Sequence, residues 1–196
     1  MWELKEMKKY VLIILSTLTL ISCHTTNVQK PILADTVKPL KENSCIEKID
    51  EYRIKKYLYV TSKEIYQSVE YWSNYYNIDT SIILGLIVQE SNYNIYATSY
   101  CDCRGLCQIA NTTVTWFNNV NGKNYSFNEI YDYDKNIEVC CWLLRRLYDY
   151  SDVLGIEKSD ILIAYNVGHR NVEKYKYKEN YNYHKNIIKY AQTFKS

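Results

Sequence analysis

From residue 45 onward the apolar positions of this chain recur every three or four residues, the spacing of helices that bury one face. Ile54, Tyr57 and Leu58 form one such stripe, and Ile65, Val69 and Trp72 another. Thr61 and Glu64 stand at capping-box spacing, so the second helix is predicted to start there. The next, capped by Asp79 or Thr80, runs through Ile82-Ile83-Leu84-Gly85-Leu86-Ile87-Val88 and is apolar all round. Such a segment belongs in the centre of a domain. Further helices are predicted over 106–118, 136–150, 159–167 and 183–194, with Gly122 and Gly155 in loops between them. The expected fold class is all-α.

The pattern before residue 45 is different. Lys8 and Lys9 precede an uncharged apolar run over 11–21, shorter than the roughly 20 residues a membrane-spanning helix needs. A basic start followed by a short apolar core describes a secretory signal. Leu20-Ile21-Ser22-Cys23 resembles a bacterial lipobox, which implies a signal peptide over 1–22 and a lipid on Cys23. That lipid would hold the protein to a membrane from outside the cytoplasm. Residues 23–44 contain both prolines of the chain, Pro31 and Pro39, and read as an extended tether. The remainder, 45–196, is expected to be one domain.

Composition narrows the classes. A net charge of +2 without any basic block gives no reason to expect a nucleic-acid partner. The chain is 47% hydrophobic, which argues for a packed core over disorder. Tyrosine is abundant at 22 residues. A phenol offers a flat apolar face with a polar tip, suited to sugars, although Asn, Ile and Lys are also plentiful and coding bias accounts for most of the excess.

Candidate chemistry centres on Glu90. On a helix it shares a face with Ile83, Leu86 and Ile87, and a carboxyl held against that surface is desolvated and protonated more readily. A general acid acting near neutral pH requires this, although a glutamate can equally mark where a helix meets solvent. Farther on, Gly105 permits close approach of the backbone to a ligand, and Gln108 can donate and accept at once.

Three blocks in order, Glu90-Ser91, Gly105-Leu106-Cys107-Gln108 and Ala164-Tyr165-Asn166-Val167-Gly168, resemble the motifs of the lytic transglycosylase and goose-type lysozyme superfamily. Ser91, Ser99, Gly105, Leu106 and Gln108 match in register, as does Val172 after the third block. Weaker matches are Asn136-Ile137 ahead of an apolar helix and Tyr183 ahead of Ile187. The resemblance covers about residues 82–190. Cys107 replaces the family's methionine, Asp102 the first glycine of a Gly-Ala pair, and Cys140 a usual glycine. Asp102 reads either as a second carboxylate near the cleft or as a solvated turn residue.

The resemblance implies a lysozyme-like helical fold that cleaves peptidoglycan glycan strands, with Glu90 as the catalytic residue. Ser91, Gly105, Cys107, Gln108, Asn136, Tyr165, Asn166 and Tyr183 would bind substrate, and no metal or organic cofactor is implied. Glu90 would act as acid and then as base, giving a 1,6-anhydro product from the bond between N-acetylmuramic acid and N-acetylglucosamine. The alternatives are a hydrolase of the same fold using Asp102, Asp132 or Asp134, a non-catalytic peptidoglycan-binding lipoprotein, and a cysteine-based metal or redox protein. The expected location is the bacterial cell envelope, on the periplasmic face of a membrane.

With Cys23 set aside, six cysteines remain: Cys45, Cys101, Cys103, Cys107, Cys140 and Cys141. An even number in an exported protein suggests disulfides. At least one of Cys101, Cys103 and Cys107 is expected to bond to Cys140, Cys141 or Cys45.

Overall fold

The structure, a computed structural model, describes residues 40–52, 60–179 and 181–195. The leader, Cys23, the tether as far as residue 39 and the Ile54-Tyr57-Leu58 stripe lie outside the described residues. Helix α1, Glu42–Tyr52, begins inside the expected tether and buries Cys45 and Ile49 against the domain. Helix α2, Ser62–Tyr75, starts at the capping box seen in the sequence: the Glu64 amide donates to Thr61 Oγ1 at 3.1 Å, and the Thr61 amide donates to Glu64 Oε2 at 2.7 Å.

Helix α3, Thr80–Ser91, is the central element. Asp79 caps it, accepting from the Ser81 amide at 2.9 Å, and every residue from 81 to 88 is buried. Helix α9, Tyr183–Lys195, crosses α3 antiparallel and in close contact. Lys195 Nζ meets Asp79 Oδ2 at 2.8 Å at one end, and the Tyr183 hydroxyl donates to Glu90 at the other. Between them, a Cβ at Gly85 would stand 2.6 Å from the Ile187 carbonyl oxygen and 2.8 Å from the Ala191 nitrogen. Only glycine lets the two backbones approach so closely.

The rest of the domain wraps this pair. Helix α4 is Asn111–Asn121, and a 3-10 turn over Phe127–Tyr131 leads into α5, Tyr133–Asp149, capped by Asp132. A short α6, Ser151–Leu154, precedes α7, Ile161–Val167, and α8, Val172–Lys176. Helix α7 ends where expected, with Gly168 at φ +75° and its amide bonded to the Ala164 carbonyl at 2.9 Å. Apart from isolated bridges, the described residues form no strand. The all-α expectation holds.

The helix expected from residue 106 begins instead at Asn111. Gly105 and Gln108 have φ of +76° and +52°, and two left-handed residues three apart cannot sit in one right-handed helix. Residues 98–109 fold back on themselves instead: Arg104 bridges both Thr98 and Ile109, exchanging hydrogen bonds of 3.0 and 2.9 Å with Ile109.

Candidate active site

Glu90 lies in the last turn of α3, where the helix leaves the core. Ile83, Leu86 and Ile87 on the same face are fully buried, and the carboxyl itself is partly buried. Burial raises its pKa from an ordinary 4.5 to about 7, and the hydrogen bond from Tyr183 pulls in the opposite direction. The carboxyl therefore exchanges its proton near neutrality. Tyr183 is brought to it by the tight α3–α9 crossing, and burial beside the Glu90 charge drives the phenol's own pKa well up. It remains a neutral donor.

Around this pair the fold gathers Tyr165, Tyr181, Cys103 and Cys107, each of which feels the charge of Glu90. Tyr165 turns inward from α7, and its hydroxyl donates to the Cys107 carbonyl at 2.8 Å. Asn166, the next residue, points about 100° away. It is exposed, and its Oδ1 accepts from the Tyr181 hydroxyl at 3.0 Å. Tyr181 also stacks on Tyr183, with ring centroids 6.3 Å apart. Sequence reasoning missed Tyr181; its position two residues ahead of Tyr183, outside any helix, was the one available signal.

The turn carrying Gly105, Cys107 and Gln108 is clamped from below. Asn136, with no exposed surface, donates through Nδ2 to the carbonyls of Arg104 and Ile130, both at 2.9 Å, and accepts from the Cys107 amide at 2.8 Å. A Cβ on Gly105 would fall 2.3 Å from Asn136 Nδ2. Gln108 Nε2 donates to the carbonyls of Ala97 and Gly105 at 3.2 and 3.0 Å. Gly105 is buried, and Cys107 and Asn136 have no exposed surface, so neither side chain reaches solvent. The Ser91 hydroxyl donates back to the Ile87 carbonyl at 3.2 Å. Gln108 and Asn166 keep exposed surface, and among the described residues neither is hydrogen-bonded to Glu90.

The packing around this turn was not legible in the sequence. Arg104 lies over the Phe127 ring at 3.9 Å from its centroid, and Thr98 Oγ1 is 2.6 Å from the Tyr131 hydroxyl. The three carboxylates considered as partners of Glu90 are engaged elsewhere. Asp102 is exposed and paired with Arg104 at 2.9 Å, and Asp132 caps α5. Asp134 accepts from Ser68 and from the Trp72 indole at 2.7 and 2.9 Å. Asp102 is thus a turn residue, at φ +56°.

Residues 67–189, more than half of the chain and the whole of this site, match the family model described as the transglycosylase SLT domain. The chain belongs to that family. Among solved structures, the SLT domain resembles the 70 kDa soluble lytic transglycosylase from Escherichia coli, with a TM-score of 0.57 and 19% identity over 68% of this chain and 25% of that one. The 70-kDa soluble lytic transglycosylase in complex with bulgecin A gives 0.58, again with 19% identity over 68% and 25%. An inactive glutamate-to-glutamine mutant of lytic transglycosylase Slt from Pseudomonas aeruginosa gives 0.56, with 18% identity over 74% and 26%. These likenesses establish the fold, and this chain spans about a quarter of the length of those structures. No curated protein matches the sequence significantly.

Proposed function

We propose that this SLT domain is a peptidoglycan lytic transglycosylase with Glu90 as its catalytic acid and base. The observation that carries the reading is a single carboxyl, raised by burial to about 7, joined to Tyr183 at the mouth of a site built from the three motif blocks. A group with that pKa is protonated often enough to act as acid and ionised often enough to act as base at neutral pH.

In this scheme Glu90 gives its proton to the glycosidic oxygen as the bond from C1 of N-acetylmuramic acid breaks. The sugar's own acetamido oxygen bonds to C1, so a second protein carboxylate is not required. Ionised Glu90 then takes the proton of the C6 hydroxyl, whose oxygen displaces the acetamido group and closes the 1,6-anhydro ring. This differs from the two-carboxylate route of most glycosidases, and the engagement of Asp102, Asp132 and Asp134 in structural contacts favours it over their use as a second acid or base. Gln108, Asn166 and Ser91 are assigned to the substrate side of the cleft, with Gly105, Cys107, Asn136, Tyr165 and Tyr183 holding its shape. That the P. aeruginosa neighbour is inactive as a glutamate-to-glutamine mutant is consistent with one essential carboxyl in this fold.

We assign residues 1–22 to a signal peptide, Cys23 to lipidation and the following segment to a tether that lets the domain reach the cell wall from a membrane anchor. Mass spectrometry of digested glycan strands tests the activity. Anhydro-muropeptides are expected. Products heavier by one water would make the enzyme a hydrolase, and intact glycan at every substrate concentration would leave only a binding role.

A further inference from the structure

One hydrogen bond beside the candidate site fixes which way an amide faces. The Tyr181 hydroxyl donates to Oδ1 of Asn166 at 3.0 Å across 15 positions of sequence. Asn166 is exposed, and among the described residues its Nδ2 group meets no hydrogen-bond partner. Tyr181 itself has little room to turn. Its ring lies near-parallel to those of Tyr183 and His184, with centroids 6.3 Å away in both cases, and meets Tyr175 edge-on at 5.3 Å. Its backbone amide donates to the Lys178 carbonyl at 3.0 Å. The ring is thus held by aromatic side chains of α8 and α9, and α9 is the helix that delivers Tyr183 to Glu90.

The chemistry of a carboxamide gives this hold a consequence. Either end can face a ligand: the oxygen accepts, and the nitrogen donates two hydrogen bonds. With Oδ1 taken by the phenol, the group left for a ligand is Nδ2, a pure donor. A sugar hydroxyl both donates and accepts, so it satisfies either end. A carbonyl only accepts, and an ammonium only donates. An amide locked as donor therefore separates these two, and both sugars of the proposed substrate carry an acetamido carbonyl.

We propose that Tyr181 is a positioning residue that sets specificity through Asn166. It holds the amide so that Nδ2 binds an acetamido carbonyl of the glycan and disfavours a deacetylated sugar. The inference rests on the peptidoglycan reading of the site and concerns selection of the ligand, not the bond-breaking step. Tyr181 acts through Asn166 and needs no contact of its own with the reacting atoms.

The test measures binding without turnover, by calorimetry on the full chain carrying Glu90→Gln. The ligands are purified glycan oligomers, either fully N-acetylated or chemically N-deacetylated. Removing the Glu90 charge also removes its attraction for the amino groups of the second ligand. The Glu90→Gln protein should bind the acetylated oligomer more tightly. Adding Tyr181→Phe keeps the ring and its stacking but frees the amide to turn over. Acetylated affinity is then expected to fall roughly 3- to 10-fold, the equivalent of one hydrogen bond, with less loss or none for the deacetylated oligomer. In an Asn166→Ala background the same substitution should change neither affinity by more than about twofold, since residues acting through one another are not additive. Asn166→Asp keeps an acceptor for Tyr181 but offers the ligand an acceptor in place of Nδ2, and it should reverse the preference. An undiminished preference in Tyr181→Phe, an equal loss for both oligomers, or the same loss with and without Asn166 would overturn the role of Tyr181 and leave the substrate reading standing. Failure of the Glu90→Gln protein to bind either oligomer would instead overturn the substrate reading, and this inference with it.

Discussion

The hydroxyl of Tyr183 donates to Oε1 of Glu90 across 93 positions of sequence. The contact joins the first residue of α9 to the last turn of α3, and it favours the ionised carboxyl while burial favours the neutral one. Burial is the larger effect. Tyr183→Phe should therefore leave the proton more tightly held, raising the pKa of Glu90 by about one unit, the equivalent of one hydrogen bond to a charged group. If protonated Glu90 starts the reaction, the alkaline limb of the rate profile moves up by that amount while kcat falls. A limb that stays in place as kcat falls would mean that Tyr183 acts elsewhere.

Glu90→Gln keeps shape and removes the transferable proton. Glycan cleavage is expected to fall by at least about 100-fold, the low end for loss of a general acid or base. Retained activity within tenfold of the parent, about 1.4 kcal/mol of barrier, would remove Glu90 from the reaction.

The same carboxyl imposes a pH dependence on stability. Its folded pKa of about 7 exceeds its ordinary 4.5, so between those values the folded chain binds a proton that the unfolded chain has released. Its contribution is complete below about pH 4.5 and is lost as pH rises through about 7, on the order of 3 kcal/mol in all. Urea unfolding of the parent should weaken over that window relative to Glu90→Gln. Parallel curves for the two proteins at pH 5 and pH 8 would refute the assignment.

Gly85→Ala tests the crossing that delivers Tyr183. Alanine is the better helix former by about 1 kcal/mol. Against that, the added methyl would meet the backbone of Ile187 and Ala191 at 2.6 and 2.8 Å, atoms that cannot rotate away. Overpacking costs about 1–3 kcal/mol, so a net loss of stability is expected, with a fall in activity as α9 shifts. A melting temperature equal to or above that of the parent would show that the helices separate at no cost.

Asn136→Ala withdraws three hydrogen bonds from backbone groups, those of Ile130 and Cys107 buried and that of Arg104 partly so. An unsatisfied buried group costs about 1–3 kcal/mol, and with partial relaxation a loss of about 2–5 kcal/mol is expected in urea unfolding. Activity should fall too, since the turn presenting Gln108 loses its clamp. Unchanged stability would show that the turn is held by other contacts.

Cys23→Ser tests the leader independently of the domain. The substituted protein should appear unlipidated by mass and in the soluble fraction of disrupted cells. Persistent membrane association without a lipid would place the anchor in another segment.

The sequence by itself determined the helical class, the buried character of 81–88, the capping box at Thr61 and Glu64, and the Glu90 end of α3 as a candidate. These are written in side-chain periodicity and local capping chemistry, which depend on residues only a few positions apart. The turn over 105–108 was misread as the start of a helix because its left-handed backbone is stabilised by contacts with Asn136 and Ile130, more than 20 residues farther on. Gly85 looked like an ordinary member of an apolar run until α9 was seen against it. The disulfide expected of Cys101, Cys103 or Cys107 is not formed: these three, with Cys45, Cys140 and Cys141, are free thiols in the structure, Cys107 and Cys140 wholly buried. Tertiary structure alone decided which residues face Glu90 and which lie beneath it, because burial, and with it the pKa of a carboxyl, depends on everything the fold packs around it.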